Sequence, residues 1–183
     1  LMLSSQSLTK ANDSIKDFQI EGMSIGDSAL DYFTKSDIIK NSKNFYKNKK
    51  FKIVQNDFYD FFKLYDAVDY HFKSGDKNYI FHGLSGVLTY ANNIKDCYPK
   101  IDEISLMIDR NFSYVEKYEK DTFKHQADNT GKSIVTDVTY KLRDGYIIIL
   151  CYDYSEEHGG QDHLSVSIDT TELNKWFIND AYK

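Results

Sequence analysis

Between residues 153 and 163 the chain crowds together more groups able to do chemistry than anywhere else: Asp153, Glu156, Glu157, His158, Asp162 and His163. Imidazoles beside carboxylates are the donor set of zinc and other divalent ions. His158, Asp162 and His163 are therefore the candidate metal ligands, and a metal-dependent hydrolase built on this stretch is the enzymatic reading. The spacing, however, fits no zinc motif such as H-E-x-x-H. The stretch also reads as a connection between two strands, where polar residues collect because they face water. Asn129-Thr130-Gly131-Lys132-Ser133 ends like a phosphate-binding loop, but Gln126 stands where its first glycine belongs, and the segment leads into a strand instead of a helix N-terminus. His82-Gly83-Leu84-Ser85-Gly86 falls short of G-x-S-x-G and lacks the strand-to-helix elbow that exposes a nucleophilic serine. Cys97 with His82, or Cys151 with His163, would make a thiol and its base only if the fold brought them together. No catalytic residue is assigned and no cofactor is expected.

Aromatic residues offer recognition chemistry. The run Phe58-Tyr59-Asp60-Phe61-Phe62-Lys63-Leu64-Tyr65 and the pair Tyr152 and Tyr154 are rich in the side chains favoured at interfaces. Tyr59, Phe62, Tyr65, Tyr152 and Tyr154 are accordingly the candidate binding surface. The last two fall at alternate positions of a strand, hence on one face.

These groups must be positioned by an α+β fold. Val68, Tyr70, Phe72 and Gly75 recur as Val138, Tyr140, Leu142 and Gly145, in each case apolar and polar residues alternating toward a glycine-containing turn, the mark of a half-buried hairpin. The recurrence predicts a tandem repeat of helix-strand-hairpin-strand units, about residues 18–91 and 92–168. The first unit would carry a helix, or two short ones broken near Thr34 to Ser36, ending about Ser42. A strand at Phe51, Ile53 and Val54 follows, then a hairpin from Tyr65 to Phe81 turning at Ser74-Gly75-Asp76, and a strand from Leu84 to Tyr90. In the second, Asn92 and Asn93 cap a helix whose apolar face is Ile94, Ile101, Ile104, Leu106 and Ile108. A strand from Tyr114 to Tyr118 and a hairpin from Ile134 to Tyr154 come next; its Asp144-Gly145 turn would supply positive backbone angles. Strand Leu164 to Ile168 alternates cleanly. A closing helix over residues 169–180, opened by Asp169-Thr170-Thr171-Glu172, buries Leu173, Trp176 and Phe177. The sheet is antiparallel with helices packed on it, and no proline- or glycine-rich linker divides residues 12–183.

The formal charge is -5 and the isoelectric point about 5.5, the wrong sign for binding nucleic acid through counterion release. The basic stretch Lys43 to Lys52 reads as a solvated turn before a strand. Leu1 to Ala11 reads as the remnant of a secretory signal peptide, with Thr9 and Ala11 at the small positions before cleavage and a mature chain from Asn12. A cytosolic N-terminus is the alternative. No segment is long and apolar enough to span a bilayer. Cys97 and Cys151 permit a disulfide without demanding one, and two thiols are too few for an all-cysteine zinc site.

Gly22-Met23-Ser24 running into a short helix pair, ahead of a three-stranded meander, resembles the outer-membrane lipoprotein fold of the BamE/SmpA type, found in tandem in secreted β-lactamase inhibitory proteins. No cysteine follows the signal-like segment, so the lipid-attachment feature of those lipoproteins is not matched. The chain, notably Ile20 to Ser28, is also similar to small exported proteins of marine bacteria without an assigned activity. The resemblance implies a tandem module that binds other molecules. Composition, motifs and resemblance together lead to one expectation: a non-catalytic, periplasmic or secreted module that binds an envelope protein or a small ligand.

Overall fold

A computed structural model describes residues 2–3, 14–57, 59–90, 93–112 and 115–183. The expected cleavage region around Thr9, Ala11 and Asn12, the start of the aromatic run at Phe58, the cap at Asn92 and the strand start at Tyr114 lie outside the described residues. Among the described residues, ten strands and three α-helices follow one another along the chain. In order they are β1 (Met2–Leu3), β2 (Phe18–Gln19), α1 (Lys35–Asn41), β3 (Ser42–Lys43), β4 (Phe51–Asp57), β5 (Ala67–Lys73), β6 (Gly83–Thr89), α2 (Cys97–Asn111), β7 (Glu116–Lys124), β8 (Ile134–Lys141), β9 (Gly145–Asp153), β10 (His163–Thr170) and α3 (Thr171–Asn179). β1 and β2 pair with each other. The other eight strands form one sheet in the order β3-β4-β5-β6-β10-β9-β8-β7, and every pairing in it is antiparallel.

The alternation that marks the strands sorts their side chains to two faces. One face carries Val54, Val68, Tyr70, Phe72, Leu84, Ile147, Ile149, Leu164, Val166 and Ile168, all buried against Phe18, Ile20, Phe33, Ile38 and, from α2, Ile101, Ile104 and Ile108. Three-residue 3-10 turns at Ile15–Asp17 and Ala29–Asp31 lead into this layer. The other face is covered only in part. There Phe51, Ile53 and Tyr46 form a second, smaller core with Leu173, Trp176 and Ala181 of α3 and its tail.

Local chemistry accounts for most boundaries. The short-helix pair breaks where expected, because the Thr34 hydroxyl accepts from the Asp37 amide and starts α1 afresh. Thr170 caps α3 in the same way through the Leu173 amide. Glu21, in the left-handed region at φ 50°, accepts from three consecutive backbone amides, Lys63, Leu64 and Tyr65, at 2.6 to 2.9 Å. It thereby fixes the aromatic loop onto the main core.

Five expectations are corrected. Residues 78–81 are not the second arm of a hairpin: Tyr79 has φ 50°, the Asp76 carboxylate holds the Asn78 and Ile80 amides, and Ile80 makes a lone bridge to Ser28. The strand that follows β5 and pairs with it is β6 itself. The strand expected to end at Tyr118 runs on to Lys124, with a register shift between Tyr118 and Asp121. Leu106 points outward, 54% exposed, while Ile101, Ile104 and Ile108 face the core. Asn93 forms no side-chain cap. Gly145 does not need a positive φ; a Cβ there would lie 2.2 Å from the Asp169 carbonyl, so close approach of β10 is what requires glycine. Cys97 and Cys151 are joined as a disulfide, tying the start of α2 to β9 and removing both thiols from any nucleophilic role. No helix among the described residues is long and apolar enough to cross a membrane.

Candidate functional site

The open face of the sheet forms the floor of a groove of about 800 Å³. Its floor is set by strand register. Asp69 of β5 stands opposite Ser85 of β6, which stands opposite Ser167 of β10, and in the next row His71, Gly83 and Asp169 are aligned in the same way. Gly83 is required by this crossing: a Cβ would lie 2.4 Å from the Leu173 side chain and 2.5 Å from the Asp169 carboxylate. One wall is Tyr46 with Asn174, Phe177, Ile178 and Tyr182 from α3 and its tail. The facing wall comes from the segments around His125, Tyr154 and His158.

Polar groups on the floor are connected unevenly. The Ser85 and Ser167 hydroxyls are 2.8 Å apart, and Ser165 adds a 3.2 Å contact to Ser167. His71, 6% exposed, shares a 2.8 Å hydrogen bond between its Nε2 and the Tyr46 hydroxyl, and its Nδ1 has no partner. Burial without a compensating charge pushes this imidazole down to about 3, so it is neutral. Asp169 is 5% exposed and its carboxylate makes no hydrogen bond or ion pair among the described residues; burial pushes it up to about 7. Asp69 is likewise raised to about 7 by burial, opposed by a 3.2 Å hydrogen bond from the Gln55 amide. Burial raises the Tyr46 and Tyr152 hydroxyls far above their ordinary range, with the two aspartates adding to the effect.

The far wall is a stack of rings. Tyr152 and Tyr154 lie parallel with centroids 5.7 Å apart, His163 stacks on Tyr152 at 4.6 Å and His158 on Tyr154 at 5.0 Å. Behind it Asp128 holds the wall in place. Its carboxylate accepts from the Thr130 and Ser133 amides and the Thr130 hydroxyl, each at 2.8 Å, and these bonds keep it well below the usual carboxylate range.

The structure divides the sequence-derived candidates. Tyr152 and Tyr154 line the groove together. Tyr59, Phe62 and Tyr65 belong to the opposite face: Tyr59 and Phe62 pack on Phe33, and Tyr65 is buried, its ring against Gly86. Of the metal candidates, His158 and His163 line the groove, whereas the Asp162 carboxylate accepts from the Tyr154 amide at 2.7 Å. His163 Nδ1 lies 2.8 Å from the Gln161 carbonyl oxygen, and His158 faces Asp128 at 3.7 Å. Among the described residues no three His, Cys, Asp or Glu side chains are grouped to hold a metal ion.

Sequence reasoning missed Asp69, His71, Ser85, Ser167 and Asp169. The signal was present as polar residues in the middle of clean strands, Val68-Asp69-Tyr70-His71-Phe72 and Ser165-Val166-Ser167-Ile168-Asp169. Comparison of the chain with models of protein families, with curated proteins and with solved structures returned no match.

Proposed function

We propose that this chain is a non-catalytic, exported binding module that takes a small ligand in the groove on the open face of its sheet. The observation that carries the reading is the groove itself. About 800 Å³ lies within the range of small-molecule sites. Among the described residues, neither the Asp169 carboxylate, on a residue 5% exposed, nor the buried His71 Nδ1 on its floor has a hydrogen-bond partner, and buried polar groups are ordinarily satisfied. A ligand that supplies those partners accounts for both.

Two further observations support export and the tandem plan. A disulfide between α2 and β9 suits an oxidising compartment such as the periplasm or the exterior. In the sheet order, β3-β4-β5-β6 meets β10-β9-β8-β7 at the centre. Each run of four follows a helix, and α3 closes the chain. That arrangement supports a duplicated unit at the level of elements and, with it, the likeness to tandem inhibitory-protein modules. The residue match between positions 68–75 and 138–145 does not carry it, because β5 and β8 do not occupy equivalent places in the two halves.

The test is saturation-transfer NMR with a library of small metabolites on the wild type and on Ser167→Phe, which fills the groove floor. Ligands of the wild type should be lost from Ser167→Phe while its melting profile stays cooperative. Tyr182→Trp, on the partly open wall, serves the same purpose if Ser167→Phe unfolds. Retention of the same ligands by folded, groove-filled variants would overturn the proposal, as would absence of any ligand across the library.

A further inference from the structure

We infer that the groove is built for an organic ammonium ligand, a linear diamine or polyamine whose charged ends are received by Asp69 and Asp169. The inference rests on the groove reading above and names its ligand class. Among the described residues lining the groove there is no lysine and no arginine, and the only carboxylates are Asp69 and Asp169. Lys50 and Lys73 are both paired with Glu172, at 3.0 and 2.8 Å, and neither lines it. The fixed charge of the site is thus of one sign. The Asp169 carboxylate, on a buried residue and without a donor among the described residues, is the group that a ligand donor would complete.

The geometry favours two charges over one. Asp69 and Asp169 stand two strands apart across the sheet and two residues apart along it. On a flat sheet that offset separates their backbones by about 12 Å, from the usual strand spacing and rise. Between them lie the Ser85 and Ser167 hydroxyls, and Tyr46, Tyr152 and Tyr182 also line the groove, a lining that suits an alkyl chain ending in ammonium groups. The neutral His71 adds no opposing charge.

The polar and titratable groups facing the two carboxylates do not act alike, since Asp57 adds to the rise of Asp69 and the Gln55 amide opposes it. On the β4 side these are Gln55 and Asp57, on β5 His71, from the α3 wall Tyr46 and Tyr182, and from the far wall Tyr152, Tyr154, His125, His158 and His163. Raising the pH ionises the two carboxyls, while burial holds the His71, His125 and His163 imidazoles below their ordinary value, so the groove becomes more negative and cation binding must tighten. A neutral ligand such as a sugar would show little of this dependence.

Calorimetric titration of the full, disulfide-bonded chain with α,ω-diaminooctane, octanediol and octanedioate separates the possibilities. The diamine should bind at least about tenfold more tightly than the diol, and Asp69→Asn and Asp169→Asn should each weaken it about tenfold or more. Its affinity should rise between about pH 5.5 and about pH 8 and fall with added salt. Ile178, exposed at the mouth, gives a control that leaves folding intact: Ile178→Arg should weaken the diamine and Ile178→Glu strengthen it. Equal binding of diol and diamine, preference for the dioate, or diamine affinity unchanged in both asparagine variants overturns the ammonium assignment. So does failure of both diaminooctane and spermidine to bind at millimolar concentration. Each of these outcomes leaves the groove reading standing if other ligands are still lost from Ser167→Phe, whereas loss of that sensitivity removes both.

Discussion

Asp69 and Asp169 keep carboxyls at about 7 inside a fold whose unfolded chain would hold them near the ordinary value. Because the folded-state value lies above the unfolded one, about 3.9, the folded chain binds more protons than the unfolded chain between roughly pH 4 and pH 7. The stability these groups contribute is complete below about pH 4 and is lost as the pH rises through about 7. Asp169→Asn and Asp69→Asn should therefore stabilise the ligand-free protein at about pH 8, each by up to about 4 kcal/mol from the linkage relation. At about pH 4 they should change little, since the native carboxyls are then neutral. Urea unfolding at the two pH values checks this, and equal effects at both would contradict it. The same residues show why the site was hard to read in the sequence. Alternating Asp69, His71, Ser165, Ser167 and Asp169 look like the wet side of half-buried strands. They are enclosed because α3 and the far wall fold back over the sheet, a long-range fact that no local pattern encodes.

Elements were legible where side chains enforce them locally. The β8–β9 hairpin and the capped start of α3 carry their own signals, strict alternation and a Thr170 cap. The segment after Gly75 misled because its Asn, Tyr and Ile residues have strand-like character, while the Asp76 carboxylate captures two of its amides. β7 was underestimated for a different reason: Glu116 to Lys124 is almost wholly exposed and charged, so no buried stripe marks it. Such alternating charge suits an edge strand, where it discourages pairing with other chains. Between elements, the one covalent tie is the Cys97–Cys151 disulfide, which closes a loop of 54 residues. In the chain-entropy account a loop of that length is worth about 4 kcal/mol. The double substitution Cys97→Ala with Cys151→Ala should lower stability by about 2–4 kcal/mol, and a reductant should do the same to the wild type but nothing further to the double variant. Insensitivity of the wild-type melting temperature to reductant would show that the bridge does not constrain the chain.

At the scale of the molecule, one sheet separates two cores. The larger lies between the sheet and α1 and α2, the smaller between the sheet and α3. The sheet consists of two runs of four strands, and the residue recurrence that predicts a repeat does not map onto them, because alternation toward a glycine turn is common to any hairpin. The division also predicts which packing controls the groove. Trp176, 2% exposed, leans on Phe51 and on Tyr46 at ring separations of 5.1 and 4.9 Å, and Tyr46 in turn holds His71 on the groove floor. Ile101, wholly buried on α2, reaches the floor through no such chain of contacts. Trp176→Ala should cost about 3–5 kcal/mol and Ile101→Ala about 2–5 kcal/mol, both by leaving a cavity. Only the first should also weaken ligand binding, since it releases Tyr46 and with it the wall and the His71 contact. Unfolding by urea and ligand titration on the folded fraction of each variant separate the two effects. Equal loss of binding in both would mean that the two sides of the sheet act as one packed unit and that the groove is supported from beneath as much as from α3.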